Sequence, residues 1–463
     1  MTQISEEVAA RLSDLTSCIE YLAGTGNLVR VTSEVDPTYE LAGIAKKLEG
    51  KKCVLFERVK GSEYPVLAGM LWNRDIVGSI FGADKEEVPF VIARAMDSWR
   101  ENKDALPSPI LERGPANEVI EEDVDLYRLP VPVHGLKDGG QYFDSSVVVA
   151  KNPETGIANI SIHRMMVAGK DRLTFLIDPG RHLAAYVDIM EKRNEPLRVT
   201  INNGVGLAPW FVSAIARQGD GKYTIANHII GRPINFIKAR TVDVPAYADA
   251  QFVIEAEILP NVREEEGPFA EVTGYYASRD KRWVMRAKAI THRKSPIFHT
   301  LLSGQEIWNA VGFTAEAKIF VTVKEKVPQL RAVYLPPGGC GFYAAVIQVE
   351  KDREGVGMEA IKEAFNAFEP LQRVVAVDTD VDLFDPIDVN WAMSTRFNPD
   401  TDLLLMKNQR AHIINPMVRV NPDGKSGTVT KMGIDATAPY PRPERFERFS
   451  FKEVDLGDYR IQE

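Results

Sequence analysis

Apolar residues recur at threes and fours through Val8, Leu12, Leu15, Ile19 and Leu22, which predicts a helix over 5–25 ended by Gly24 and Gly26. A strand over 28–31 follows, then a helix through Lys47 with Asp36 as N-cap and Pro37 at the first helical position. Residues 53–56 and 64–68 read as strands and 86–101 as a helix, an α/β segment closing near 115. An acidic run from Glu118 to Asp125 leads into a proline-stiffened connector at 129–134. From about 140 the period shortens. Strands are predicted over 145–150, 159–167, 173–177, 197–202, 234–238, 252–258, 270–276 and 283–291, with one helix at 180–193. Many short strands parted by turns predict a barrel or split barrel. Beyond 306, helices over 312–319 and 357–367 alternate with strands over 329–334, 343–349 and 373–378, and a Pro- and charge-rich tail after 410 suits contact with another subunit. The expectation is a multidomain α/β (α+β) chain: an N-terminal α/β domain over 1–115, a central split barrel over 116–305 and a C-terminal α/β domain over 306–463.

Composition narrows the class. The net charge is −9 with both signs interspersed, so no basic stripe offers itself to nucleic acid. The three cysteines, Cys18, Cys53 and Cys340, are scattered and form no CxxC, which predicts a reducing compartment and no structural zinc. The first residues lack the pattern of a signal peptide, and no apolar run approaches membrane-spanning length. A soluble cytoplasmic protein with no membrane or nucleic-acid partner is expected.

Three clusters could carry chemistry. Asn159-Ile160-Ser161-Ile162-His163-Arg164 places an amide, an imidazole and a guanidinium on one short strand, more polarity than packing needs, although the wet face of an edge strand would account for it too. Arg181-His182 opens the 180–193 helix, where backbone N–H groups favour an anion. In Glu264-Glu265-Glu266-Gly267-Pro268-Phe269-Ala270-Glu271 a Gly-Pro turn lets Glu266 and Glu271 converge; taken alone, a solvated acidic turn explains it as well. Two adjacent carboxylates split their pKa values, which leaves one able to act as an acid. No P-loop, HExxH or GxSxG is present.

Together these clusters resemble the UbiD family of decarboxylases. The likeness extends through 125–130, 138–140, 378–380, 391–396 and 435–437 and so covers nearly the whole chain. It implies a central domain that binds prenylated FMN, a C-terminal oligomerisation domain, and a cofactor phosphate held through a divalent metal, usually Mn2+, with K+ nearby. It implies Asn159 and His182 as metal ligands and Arg164, Glu266 and Glu271 as the catalytic Glu-Arg-Glu set. The cofactor would be lined by Asn159, Ile160, Ser161, Ile162, His163, Arg164, Arg181, His182, Lys222 and Arg373. It further implies a carboxylic acid substrate, a flavin prenyltransferase as cofactor supplier and a homo-oligomer, dimer or hexamer.

The chain departs from the family pattern in three places. Lys222 stands where a third metal ligand, a glutamate, is expected, and a protonated lysine cannot ligate a hard cation. Either the alignment shifts, with Asp220 the nearby carboxylate, or Lys222 meets the phosphate directly and the metal is weakened or absent. Ser161 and His163 replace Gly and Tyr, and Arg373 replaces a phosphate-binding lysine. Strict strand alternation also sets Asn159 and Arg164 on opposite faces, which a bulge or twist has to relieve.

The expected function is reversible non-oxidative decarboxylation of an aromatic, heteroaromatic or other α,β-unsaturated acid. His163, His299, Arg181 and the apolar run 403–406 are candidate substrate contacts. Two other classes compete: a split-barrel oxidoreductase using ordinary FMN, and a catalytically silent subunit of a multi-component carboxylase.

Overall fold

The structure, a computed structural model, describes residues 4–178, 181–215, 221–422 and 427–455. A nine-stranded sheet forms the centre. Its path runs through Tyr142–Phe143, Met165–Val167, Arg172–Phe175, Asp280–His292, Phe252–Glu266, Leu197–Asn203, Val147–Lys151 and Ala158–Ile162, with Val119–Glu121 paired to Asp280–His292. Ala158–Ile162 and Met165–Val167 lie six strands apart on that path, roughly 29 Å if the sheet were flat. Only His163 and Arg164 join them, and three Cα steps span at most roughly 11 Å. The sheet therefore curls until its edges nearly meet. That is the split barrel, and Arg164 stands in its seam.

Residue choice makes this sheet a wall with two buried faces. Val148, Ile201, Ile254 and Ile290 lie opposite one another on successive strands and share one core. Their neighbours Val147, Val149 and Val253 face the other way, into a second core built with helices Leu15–Gly24, Val88–Glu101, Leu207–Ala214 and Gln305–Lys324. Burial on both sides explains why these strands read as unbroken apolar runs.

A four-stranded sheet, Leu28–Val35, Cys53–Val59, Val66–Ala68 and Phe298–His299, takes its last strand from the far end of the central segment. Asn203 fixes that strand: its side chain donates to His299 O at 2.8 Å and accepts from His299 N at 2.9 Å. The C-terminal sheet orders Leu330–Tyr334, Ala344–Val349, Arg373–Asp378, Gly427–Ala436 and Leu403–Ala411, with Arg419–Val420 on Gly427–Ala436.

Several predicted elements shift. The 5–25 helix is two helices, Glu6–Ser13 and Leu15–Gly24, because Asp14 is extended and its carboxylate caps the second through Ser17 N. Asp36 caps no helix: it accepts from Thr38 N in a turn, and the helix starts at Glu40. The 180–193 helix runs His182–Arg193, with 179–180 outside the described residues. The helix expected at 312–319 fills Gln305–Lys324. The tail after 410 contains Gly427–Ala436, a strand inside the sheet rather than a loose arm. The 403–406 run begins an edge strand where Leu405 is exposed and Leu404 and Met406 pack on the C-terminal core.

Candidate active site

Strand Ala158–Ile162 stops at the seam, and His163 and Arg164 cross it outside strand geometry. Alternation therefore ends at Ile162, and Arg164 is free of the face that Asn159 dictates. Its Nε and Nη2 donate to the two oxygens of Glu266 at 3.1 and 3.0 Å, a bidentate clamp. Its Nη1 donates to Glu271. Glu266 closes the strand Phe252–Glu266, and Glu271 follows Phe269–Ala270. Gly267 joins them at φ +95°, and a Cβ there would meet Ser278 O at 2.9 Å, so only glycine makes this turn without strain.

The two carboxylates are not equivalent. Glu266 is fully buried, whereas the Glu271 side chain keeps 14% of its exposure. Tyr142 Oη donates to Glu266 Oε1 at 2.9 Å. Burial, then the adjacent Glu266 charge, pushes the Tyr142 pKa far up, so this hydroxyl serves as a donor. The Tyr142 ring lies 4.5 Å from Phe269, and the Arg164 guanidinium lies over Phe269 at 5.1 Å. The loop bearing Glu271 is tied at three points. Asp138 accepts from Ala270 N at 2.8 Å, Ser303 Oγ donates to Ala270 O, and Trp308 Nε1 donates to Val272 O at 2.6 Å.

Beside the seam lies a cavity of about 720 Å³, counting its open mouth. Strand residues Asn159, Ile160, Ser161, Ile162 and His163 form one wall, and Asp178, Arg181, His182 and Lys222 gather on it. Burial lowers His163 to about 4. The neutral ring donates from Nδ1 to Leu176 O at 3.1 Å and accepts from Ser161 Oγ at 2.9 Å. Burial pushes Asp178 up, but hydrogen bonding and charge from His412, then Arg181, bring it down to about 2. Lys222 is 5% exposed, and burial, then Arg181, lowers it to about 7.

The cavity suits a phosphate-bearing ligand: Asn159, Ser161 and His163 alternate with Ile160 and Ile162 along one wall, and two cations with the start of helix His182–Arg193 complete the lining. The described residues do not make a site for a divalent ion. Asn159 and His182 pair with each other, and Asn159 Oδ1 accepts from its neighbour Ile160 N at 2.9 Å. The third position is a cation, Lys222, and no group of three His, Cys, Asp or Glu converges among the described residues. Asp220 lies outside the described residues.

Of the sequence-derived candidates, Arg164, Glu266 and Glu271 meet at one point, and Asn159 to His163, Arg181, His182 and Lys222 line one cavity. Arg373 is not with them: it is exposed at the start of a C-terminal strand. His299 is fully buried in the four-stranded sheet, away from the residues lining the cavity. Tyr142, Asp138 and Asp178 were missed. Tyr142 follows Asp138-Gly139-Gly140, and that turn beside an aromatic pair was the available signal.

At the seam of this curled β half-barrel, an arginine clamped between two carboxylates brings together groups that can bind an anion and exchange a proton. Three family models, described as the N-terminal, Rift-related and C-terminal domains of 3-octaprenyl-4-hydroxybenzoate carboxy-lyase, match residues 19–96, 110–306 and 309–436. The chain belongs to the UbiD family and is a carboxy-lyase. An anhydromevalonate phosphate decarboxylase of Methanosarcina mazei is 35% identical, with 92% of this chain and 96% of that one covered. A gallate decarboxylase of Lactiplantibacillus plantarum is 31% identical, over 91% and 93%. The UbiD-class enzyme HmfF of Pelotomaculum thermopropionicum, solved with FMN, superposes with TM-score 0.89 at 36% identity, covering 96% of this chain and 100% of that one. An evolved dimeric form of HmfF was solved with prFMN, at TM-score 0.87, 35% identity, and 96% and 100% coverage.

Proposed function

We propose that this protein is a prenylated-FMN-dependent, reversible, non-oxidative decarboxylase of an aromatic or other α,β-unsaturated carboxylic acid. The observation that carries the reading is Arg164 held between a buried Glu266 and a partly exposed Glu271. When bound, the modified flavin supplies the electron sink that an sp2 carbon needs to lose CO2. Ile160, Ser161, Ile162 and His163 line its body, and Arg181, His182 and Lys222 meet its phosphate. Arg164, fixed by Glu266, presents its remaining donor capacity to the substrate carboxylate. The Phe269 ring against Arg164 gives the clamp an apolar side, which disfavours the charged acid relative to the neutral product. Glu271, at the accessible edge of the clamp, delivers the proton to the carbon that has lost CO2. Neither manganese nor potassium enters this reading.

The proposal extends to a cytoplasmic homo-oligomer supplied by a flavin prenyltransferase. Domain limits at 115/116 and 305/306 remain the divisions proposed. Exposed Phe449 and Phe451 on the final segment support self-association.

The test is oxygen-free purification from cells co-expressing a flavin prenyltransferase, then mass and absorbance of the bound flavin, then CO2 release from a panel of aromatic and acrylic acids. Prenylated FMN with CO2 release is expected. Plain FMN reducible by NAD(P)H would replace the reading with a redox enzyme. Full loading with no CO2 release across the panel would replace it with a silent subunit.

A further inference from the structure

Lys222 is a buried cation whose described hydrogen-bond partners are backbone carbonyls. Lys222 Nζ donates to Ser213 O at 3.2 Å and to Ile215 O at 2.7 Å, which occupies two of its three protons. Among the described residues no carboxylate acts on it, and Asp220, two residues before it, lies outside them. Arg181 is close enough to disfavour its charge, so two cations face one space. The carboxylate on that space, Asp178, already pairs with His412 at 3.4 Å and feels the Arg181 charge. His163 is neutral and spent on Leu176 and Ser161. An uncompensated buried ammonium is costly unless a ligand brings the counter-charge. The first turn of helix His182–Arg193 lines the same cavity, and the positive end of its dipole favours an anion.

We propose that Lys222, with Arg181 and the start of helix His182–Arg193, forms a phosphate-monoester site that works without a divalent metal, the lysine ammonium supplying the positive charge a metal ion would bring. The ligand is a phosphate dianion on a larger organic body. On the flavin reading above, on which this rests, it is the flavin's terminal phosphate; a phosphate on the substrate is the other source. The third Lys222 proton and the Arg181 fork would hold it directly, as charge-assisted hydrogen bonds. Asn159 and His182 then act as polar neighbours of the phosphate rather than as ligands of an ion.

The experiment is equilibrium binding of FMN and of riboflavin to the full chain, followed by flavin fluorescence, in chelator and with added Mn2+. FMN is expected to bind equally, within about twofold, in both conditions and at least ~30-fold tighter than riboflavin. Lys222→Met is expected to remove that advantage while leaving riboflavin binding unchanged. Lys222→Glu, which adds a carboxylate as a third donor beside the Asn159 amide and the His182 imidazole, is expected to make FMN binding Mn2+-dependent.

Loss of wild-type FMN binding in chelator, restored by Mn2+, would overturn the proposal. So would a Lys222→Met protein that is merely less stable yet binds FMN as before, since Lys222 would then only cap the helix Leu207–Ala214 that ends at those carbonyls. A thermal shift with inorganic phosphate in chelator reads the site without any flavin. A rise of ~1–2 °C in the wild type and none in Lys222→Met supports it, and no rise in either overturns it. If phosphate stabilises the wild type but FMN binds no tighter than riboflavin, the site stands and its phosphate belongs to the substrate. Failure of both flavins to bind, with the phosphate shift intact, counts against the flavin reading alone.

Discussion

Glu271 and Glu266 share one arginine but differ in what a substitution would do. Glu271→Gln keeps the size and an acceptor for Arg164 yet cannot transfer a proton. Turnover is expected to fall by ~10²–10⁴, with flavin content, read by absorbance, unchanged. Wild-type turnover in that variant would remove Glu271 from the reaction. Tyr142→Phe leaves the ring against Phe269 and deletes one hydrogen bond to Glu266. Stability is expected to drop by ~1 kcal/mol. A buried carboxylate short of one donor pulls harder on Arg164, so kcat is expected to fall about tenfold with KM nearly constant. An effect on KM alone would mean that Tyr142 touches substrate rather than positioning Glu266. At this scale the sequence was unevenly readable. Arg164, Glu266 and Glu271 show themselves because a guanidinium and two carboxylates around Gly-Pro are unusual company. Tyr142 does not, because its role depends on an edge pairing, Tyr142 to Met166, that spans 24 residues and leaves no local periodicity.

At the scale of elements, the seam and the Gly267 turn do the positioning. Strand composition over 159–167 was legible, and the alternation conflict between Asn159 and Arg164 called for a bulge or twist; that the strand ends there, at His163-Arg164, was not legible. Nothing in six consecutive residues says that the two halves belong to opposite edges of one curled sheet. The split helix at Asp14 was missed for a related reason: apolar periodicity runs through the break, and only the capping chemistry of Asp14 marks it. The strand Gly427–Ala436 was missed because its polar alternation reads as a tail until a parallel neighbour buries it. Gly267→Ala tests the turn. It forces a left-handed φ on a residue with a Cβ aimed at Ser278 O. The expected cost is ~1–3 kcal/mol in denaturant unfolding, with activity falling further than that loss of folded protein explains, because the turn sets the spacing of Glu266 and Glu271. Activity that tracks the folded fraction alone would show the spacing to be set elsewhere.

Across the whole molecule, Glu306 joins segments that the sequence reading assigned to separate domains. It opens helix Gln305–Lys324, accepts from Leu302 N at 3.0 Å and from Leu71 N at 3.3 Å, and is fully buried. Burial raises it from 4.5 to about 8, against the pull of those two N–H groups, and the nearby Asp144 adds to the rise. Asp144 is itself pushed up to about 7 by burial. A carboxyl with a raised folded pKa holds its proton in the native state after the unfolded chain has released it. Between about 4.5 and 8 the native state therefore binds more protons, and this group's contribution to stability falls as pH rises, then levels off above about 8. Histidines lowered to about 4, such as His134 and His163, act in the opposite sense between about 4 and 6.5 and mask the effect in a single titration. A comparison with Glu306→Gln isolates it, because glutamine does not titrate and its own misfit with one N–H is constant in pH. The variant's Tm relative to wild type is expected to climb by roughly 2–5 °C from pH 5 to pH 8, and thermal melts across that range measure it. A difference flat in pH would mean that Glu306 is ionised in the folded protein. The junction between the N-terminal segment and the long helix would then rest on a buried charge held by N–H donors rather than on a neutral acid.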